Sequence, residues 1–427
     1  MGRGWAVAVV AGLLTASAQA SDIARSIEPT GDPRLDGILA SQTWAARDFT
    51  FSFPEREFSQ QPPDVGFMPL SEEQKQIVRA VFNSLEIFAQ LRFLEEPNAD
   101  KATLTFARWN QASSLGQVDA KAKGGGDAEW TDVPGQTWIS EPDSLRTDAS
   151  LGGRPSHWFM HEIGHILGLE HAHSSHQGRA VPAEWDNQSH TIMTYRLSRE
   201  IHLTFPIGRV FPTTYMPLDI FALQHLYGPN WETESGDTRY KFSPGSGDYF
   251  AGGKGITGNP DGKLLLTLWD GGGADTLDFT AYAEGGFYDM RPGGFSTPDR
   301  SQLIEFQEGE FAQGCIALPL LPKGDRKALF ENIIVGNGSN SIVANEADNN
   351  IVLGSGANVV VFHPGNGRDL LMNFGPDDII DLSGYRIPEE LIHVTADGQD
   401  TIITVDQWPK DQIRVVNGVV SMRTVRF

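Results

Sequence analysis

Three of the chain's eleven histidines fall within one stretch, HEIGHILGLEH, at positions 161, 165 and 171. His161 and His165 are four residues apart, so on a helix their rings project from one face, one turn apart. Two imidazoles so placed can hold one Zn²⁺, and Glu162 between them can reach a water on the metal. Gly168 lets the chain leave the helix and return His171 as a third nitrogen ligand. Three protein nitrogens leave one coordination position open, which marks a catalytic rather than a structural zinc site. There the metal brings the pKa of bound water to about 7 and polarises a carbonyl, while Glu162 accepts the proton. The competing reading is a histidine-rich surface helix. HExxH alone would leave it open, but five fixed positions, three of them the rare histidine, weigh against it. His157, His173 and His176 lie near by without ligand spacing and read as surface residues.

The chain around this motif has 427 residues and a formal net charge of -22. That length allows two or three domains and at least one sizeable core. The charge argues against nucleic acid or an anionic membrane surface as partner, and suits hard cations such as calcium. Cys315 is the single cysteine, so no internal disulfide can form and metal ions are the candidate staples. The opening MGRGWAVAVVAGLLTASAQA has a cation, a short apolar core and Ala18-Gln19-Ala20, the pattern of an export signal over residues 1–20. Its apolar run is far short of the roughly 20 residues that span a bilayer. No membrane insertion is expected after cleavage.

Residues 21–45 are polar with turn formers and suggest a short prosegment or linker. FTFSF (49–53) alternates and ends at Pro54, predicting a strand. Ser71 and Gln74 form a capping box for a helix with Val78, Val81, Phe82, Leu85 and Phe88 on one face. ATLTFA (102–107) and TWIS (137–140) predict further strands, and Gly124–Gly126 a flexible loop. The zinc motif belongs to a helix over 156–171 that ends near Gly168, and PLDIFALQHLYG (217–228) to another that closes at Gly228. After Pro229 the texture changes to short strands separated by Gly, Asn and Asp. A boundary is therefore expected near 229, between a domain over 46–228 and one over 229–427.

Downstream of the third histidine lies SHTIMTY (189–195), with Met193 and, two places on, Tyr195. Here the sequence resembles the metzincin metalloproteases, in which a turn carrying a methionine lies beneath the metal. A tyrosine two places after that methionine, as at Tyr195, is similar to the additional, movable zinc ligand of the astacins and serralysins. SFPE (52–55), LSEEQKQIVRAVFNSL (70–85), DIFALQHLYGPN (219–230), LWDGGGADTLDFTAY (268–282) and DDIIDLSGY (377–385) resemble serralysin landmarks in their order. Matrixins fit less well, lacking the tyrosine and using a prosegment cysteine, whereas Cys315 is far downstream. The serralysin resemblance covers roughly residues 40–385. It implies an α+β metzincin catalytic domain, a twisted mixed sheet with long helices, followed by an all-β parallel β-roll or sandwich. It also implies a secreted zinc endopeptidase whose extended cleft lies below an edge strand, for which TWIS is the candidate. An edge strand pairs with substrate main chain, so specificity would be broad.

The resemblance further implies a calcium-binding roll of nonapeptides of the type G-G-x-G-x-D-x-U-x. GNGSNSI (336–342) and GSGANVV (354–360) keep the turn glycines, but Asn340 and Asn358 replace the ligand aspartate; GNGRDLL (365–371) retains it as Asp369. Losing a carboxylate lowers calcium affinity, so the roll is expected to persist with asparagine ladders or weakened sites. Asp270, Gly272 and Asp275 of WDGGGADT resemble a further calcium site, against a plain Gly-Asp turn. The segments 400–407 and 412–427 look like closing strands. Two departures stand out: the Sec-type start where serralysins use a C-terminal signal, and Ala172 where they carry proline.

The expected function is a secreted zinc endopeptidase: zinc on His161, His165, His171 and Tyr195, Glu162 as base, Met193 beneath. Calcium is expected at Asp270, Gly272, Asp275 and Asp369. Its partners are protein or peptide substrates, it is expected to be a monomer, and its location is extracellular, with the periplasm as the alternative. The alternatives in function are a non-catalytic extracellular binding protein on the same fold and a peptidase with one dedicated substrate.

Overall fold

The computed structural model describes residues 24–59, 67–109, 121–123, 136–140, 151–175, 179–196, 210–256, 258–259, 261–307, 309–421 and 423–427. The expected export signal, the Gly124–Gly126 loop and His176 lie outside them.

The first elements are β1 (Ala24–Ser26), α1 (Pro33–Ile38) and β2 (Gln42–Trp44), with β1 and β2 paired antiparallel. Asp32 caps α1 by accepting from the Arg34 amide, and Pro33 opens its first turn. Leu35, Ile38, Leu39 and Trp44 are buried in the main core. This corrects the reading of 21–45 as a linker: polar residues dominate the stretch, but these apolar ones are turned inward.

A six-stranded sheet follows, formed by β3 (Asp48–Ser52), β4 (Phe67–Met68), β5 (Arg92–Glu95), β6 (Leu104–Trp109), β7 (Lys121–Lys123) and β8 (Gln136–Ser140). Its order is β5-β3-β6-β8-β7, with β4 on β6. β3, β5, β6 and β8 run parallel, while β7 is antiparallel to β8 and lies at the edge. The expectation that TWIS is the edge strand is thereby corrected, because β8 has a partner on both sides. Strand order is a non-local property, and a three-residue strand leaves little trace in a sequence pattern.

The helix α2 (Glu72–Phe88) crosses this sheet. Its Ser71–Gln74 capping box is formed, and Val78, Val81, Phe82, Leu85 and Phe88 are buried as the period requires. Phe82 stacks on Phe93 of β5 at 4.1 Å between ring centroids. Two further helices, α3 (Arg154–Ile166) and α4 (Pro217–Tyr227), complete the α+β half.

From Arg239 onward regular structure is strand and short 3₁₀ turns. Strands 276–278, 332–334, 350–352, 368–372 and 408–415 pair in parallel within a ten-stranded sheet. Strands 287–289, 341–343, 359–361, 379–381 and 425–426 form a second, all-parallel sheet of five. The chain alternates between the two, so each turn of the roll lies on the last. Gly336 and Gly354 are required by that stacking: a Cβ at either would stand 1.8 Å and 2.0 Å from a carbonyl oxygen of the turn below. Ile333, Ile342, Ile351 and Val360 fill the space between the sheets. The expected closing strands form as 400–405, 408–415 and 425–426. The buried apolar residues of both halves make one contiguous cluster. Among the described residues no helix is long and apolar enough to cross a membrane.

Candidate metal centre

α3 runs through the interior, with every residue from Pro155 to Gly164 buried. Its polar members therefore stand in a poorly solvated setting, where each must be partnered or held neutral. His161 Nδ1 lies 2.9 Å from Ile192 O, and His165 Nδ1 lies 2.8 Å from Leu169 O. Both carbonyls demand a hydrogen on Nδ1, which leaves the Nε2 atoms as bare acceptors. Each Nε2 is 3.1 Å from Nε2 of His171. Three convergent imidazole nitrogens, two of them on rings whose outer nitrogens are fixed by carbonyls, are a donor set compatible with a metal cation. Burial, followed by the charge of His171, lowers His161 to about 3, so it offers a neutral ring. Among the described residues no other group of three or more His, Cys, Asp or Glu brings its ligand atoms within 4.8 Å.

The return of His171 depends on the end of α3. Gly168 has φ +98°, a left-handed conformation, and a Cβ there would stand 2.8 Å from Thr43 Oγ1. The last carbonyls of the helix, which have no partner within it, receive donors from outside. Trp44 Nε1 donates to Ile166 O at 2.7 Å, Thr43 Oγ1 to Leu167 O at 3.0 Å, and Tyr227 OH to Leu167 O at 2.8 Å. The Ala40 amide donates to Gly168 O and that of Glu170 to Ile38 O. The N-terminal segment thus clamps the turn that carries the third histidine.

Met193 is fully buried, and a Cβ at Gly164 would come within 2.7 Å of its sulfur. The second glycine-dependent contact of the motif is therefore helix against Met turn. That turn is held from below by Asp219 of α4, which no sequence motif singles out. Its carboxylate accepts from Thr191 Oγ1 at 2.5 Å, the Ile192 amide at 2.9 Å and the Met216 amide at 3.0 Å. An acid in the first turn of a helix is commonplace, so nothing in the sequence marked it out. Tyr195 stands beside the site, its ring 5.6 Å from His161, 4.9 Å from His171 and 4.6 Å from His173. Burial, then the charge of Glu162, pushes its phenol up to about 12. Glu162 is buried on α3, and desolvation pushes its carboxyl up to about 8. A cation beside it would draw that value down again.

Two neighbouring histidines depart from expectation. His173 packs against His171 and Tyr195 and lies 3.4 Å from the Tyr195 amide. His157 is buried against Phe211, with no partner for Nδ1, and burial lowers it to about 4. Both were expected at the surface; Phe211 covers the His157 ring from far along the chain. The unfolded chain protonates His157 below its ordinary value near 6.5, the folded protein only near 4. Falling pH between those values favours the unfolded state, by about 1.4 kcal/mol per pH unit and about 3 kcal/mol by pH 4. Urea unfolding at pH 7 and pH 5 is expected to show a smaller loss for His157→Leu than for the parent. Equal losses in the two proteins would refute it; changes common to both, such as metal release, cancel.

The expected calcium residues form a separate place. Asp270 and Asp275 are buried, and burial together with neighbouring carboxylates raises both. Asp270 Oδ2 takes a hydrogen bond from Tyr240 OH at 2.8 Å, and Oδ1 one from the Gly272 amide at 2.7 Å. Asp275 Oδ2 is buried without a donor. Glu331, outside the expected set, accepts from the Asp275 amide at 2.8 Å and is pushed up to about 7, chiefly by burial. An orphaned carboxylate oxygen between acids fits a cation. Asp369 is not part of this group; it lies on strand 368–372, accepting from the Asn349 amide at 2.9 Å.

Residues 229–409 match the family described as peptidase M10 serralysin C terminal. The chain is 30% identical over 329 residues to serralysin from Proteus mirabilis, covering 71% of this chain and 60% of that protein. It is 28% identical over 296 residues to metallopeptidase AprA from Pseudomonas marginalis, covering 66% and 56%. Serralysin B from Dickeya chrysanthemi is 31% identical over 266 residues, covering 59% and 52%. The chain thus spans a little over half the length of these relatives.

Proposed function

The chain belongs to the serralysin family, and from that premise we propose that it is a zinc-dependent endopeptidase acting on proteins outside the cytoplasm. The observation that carries the reading is the convergence of the three histidines, Nε2 of His161 and of His165 each 3.1 Å from Nε2 of His171, with buried Glu162 between the first two in the chain. Tetrahedral zinc with Zn–N of about 2.0–2.1 Å would separate such nitrogens by about 3.3 Å, so the cluster needs only a slight opening. When bound, zinc supplies Lewis acidity toward a peptide carbonyl and lowers the pKa of a coordinated water to about 7.

The remaining work falls to the chain. Glu162 accepts the proton of the attacking water and returns it to the leaving amine, a transfer that its desolvated carboxyl is well matched to make. Tyr195 stands at the rim as the movable fourth ligand, and Met193 with Asp219 holds the floor on which the rings rest. Among the described strands β7 is the edge to which an extended substrate can add as a strand, with backbone pairing rather than side-chain pockets setting affinity. Residues 46–228 form the catalytic unit and 229–427 the roll, with the clamp over 24–44 integral to the first. Calcium is assigned to Asp270, Asp275 and the Gly272 carbonyl, with Glu331 alongside. The protein is exported and works as a monomer.

The test is hydrolysis of casein by the purified full chain. Cleavage abolished by a zinc chelator and restored by zinc is expected. A folded chain holding one zinc that cleaves no protein would overturn the endopeptidase reading and favour a binding protein or a single dedicated substrate.

A further inference from the structure

Family resemblance implies calcium between successive turns of the roll, yet one column of turns does not fit the ion. The residues that precede strands 287–289, 341–343, 359–361 and 379–381 are Gly286, Asn340, Asn358 and Asp378, one above the other. Asn340 and Asn358 are buried, eighteen residues apart. Nδ2 of Asn340 donates toward Gly336 O at 3.0 Å, Gly338 O at 2.7 Å and Asn358 Oδ1 at 2.9 Å. Nδ2 of Asn358 repeats the set one turn on, toward Gly354 O at 3.2 Å, Gly356 O at 2.7 Å and Asp378 Oδ1 at 2.9 Å. Each amide nitrogen therefore occupies the centre of an oxygen cage where a cation would otherwise sit.

The amides cannot be turned to serve as ligands instead. A flip would set Asn358 Nδ2 against the Asn340 amide and Asn340 Nδ2 against the Gly286 amide, donor against donor. The oxygens are also engaged. Asn358 Oδ1 takes both the Asn340 amide and its Nδ2, Asn340 Oδ1 takes the Gly286 amide, and Asp378 Oδ1 takes the Asn358 amide and its Nδ2. The second column contrasts with this. Its corresponding residues are Asp275, Glu331, Asn349 and Asp369, so three of the four remain acidic.

We propose that the column at Asn340 and Asn358 is closed by a ladder of side-chain amides in place of calcium, so that this part of the roll folds and holds without the ion. The amide supplies the same connection between turns, donor to carbonyl, that a cation would supply, and it is covalently part of the chain. It needs no external concentration of metal, so the roll can close in a compartment poor in calcium. Any calcium the protein takes is confined to the acidic column.

Hydrogen exchange on the full chain tests this locally, in chelator and in millimolar calcium. Peptides over 392–405, away from both columns, report any stabilisation common to the whole roll. Protection over 336–343 and 354–361, which hold the two asparagines and leave out strand 350–352 of the acidic column, is expected to change no more with calcium than protection over 392–405 does. Calcium slowing exchange over 336–343 and 354–361 by about tenfold more than over 392–405 would overturn the proposal. In Asn340→Asp/Asn358→Asp, the donors are lost and like carboxylates face each other. Exchange over 336–343 and 354–361 in chelator is expected to rise about tenfold or more, with calcium restoring part of it. A double variant as protected in chelator as the parent would equally overturn the ladder. Should that variant fail to fold, the parent's response to calcium decides by itself.

Discussion

Glu162→Ala is expected to lower kcat/KM for casein by about 10³, within the 10²–10⁴ range typical of a lost general base, while zinc content and melting temperature stay close to the parent's. The separation of these readouts follows from where Glu162 stands. It is buried on the helix that carries His161 and His165, but neither of those rings uses it for orientation; Ile192 O and Leu169 O do that. Removing it therefore takes away the proton acceptor and leaves the histidine geometry intact. Stability is not expected to suffer greatly, since a carboxyl that desolvation pushes up to about 8 contributes little as a buried charge. Glu162→Asp, which withdraws the carboxylate by one methylene, is expected to fall between the two, because proton transfer depends steeply on reach. Activity of Glu162→Ala within tenfold of the parent would remove Glu162 from the chemistry. Loss of zinc together with activity would instead make it a structural support.

Trp44→Ala is expected to cost about 3–5 kcal/mol of stability, the usual range for truncating a buried tryptophan, and to weaken zinc retention as well. Trp44 is 2% exposed and meets Phe49 edge to face with centroids 5.6 Å apart. Its indole nitrogen also satisfies Ile166 O, one of the unpaired carbonyls at the end of α3. Loss of the ring therefore opens a cavity and strands a buried acceptor, two separate penalties. The turn through Gly168 that returns His171 leaves the helix at this same point, so loosening the clamp should blur the third ligand. Thermal unfolding and zinc content by atomic absorption check the two effects; at about 2–4 °C per kcal/mol, the expected fall in melting temperature is roughly 10 °C. A variant that melts with the parent would show that the segment merely lies on the surface. The same bonds bear on processing: cleavage beyond residue 44 would strip Trp44, Thr43 and the Ala40 amide from the helix end together. A removable prosegment would thus have to end before Ile38 to leave these bonds in place.

The amide ladder and the acidic column show how differently one repeat can be used. Both columns are built on the same parallel stacking, but the side chain at the turn decides whether the space between turns asks for an ion. Asparagine brings its own donor, whereas aspartate and glutamate bring only acceptors and leave an oxygen such as Asp275 Oδ2 without one.

What the sequence determined by itself was local. The helical spacing of His161 and His165, the helix-ending Gly168, the Ser71–Gln74 capping box, the period of α2 and the eighteen-residue recurrence of turn glycines all depend on residues close together in the chain. Each follows from the rise of a helix, the fit of a cap or the stacking of equal turns. Tertiary structure alone decided the rest. β7 rather than β8 became the edge because strand order joins segments that no short pattern links. His157 was buried by residues more than fifty positions away, and Asp219 reached the Met turn across 28 and 27 positions to Thr191 and Ile192. Trp44 and Thr43 reached the end of the zinc-motif helix across 122 and 124. The ligands of the candidate site are spelled out by spacing, because coordination is set by the atoms that touch the ion. The groups that hold those ligands still are not, because any donor that arrives at the right carbonyl will serve, and only the folded chain determines which one arrives.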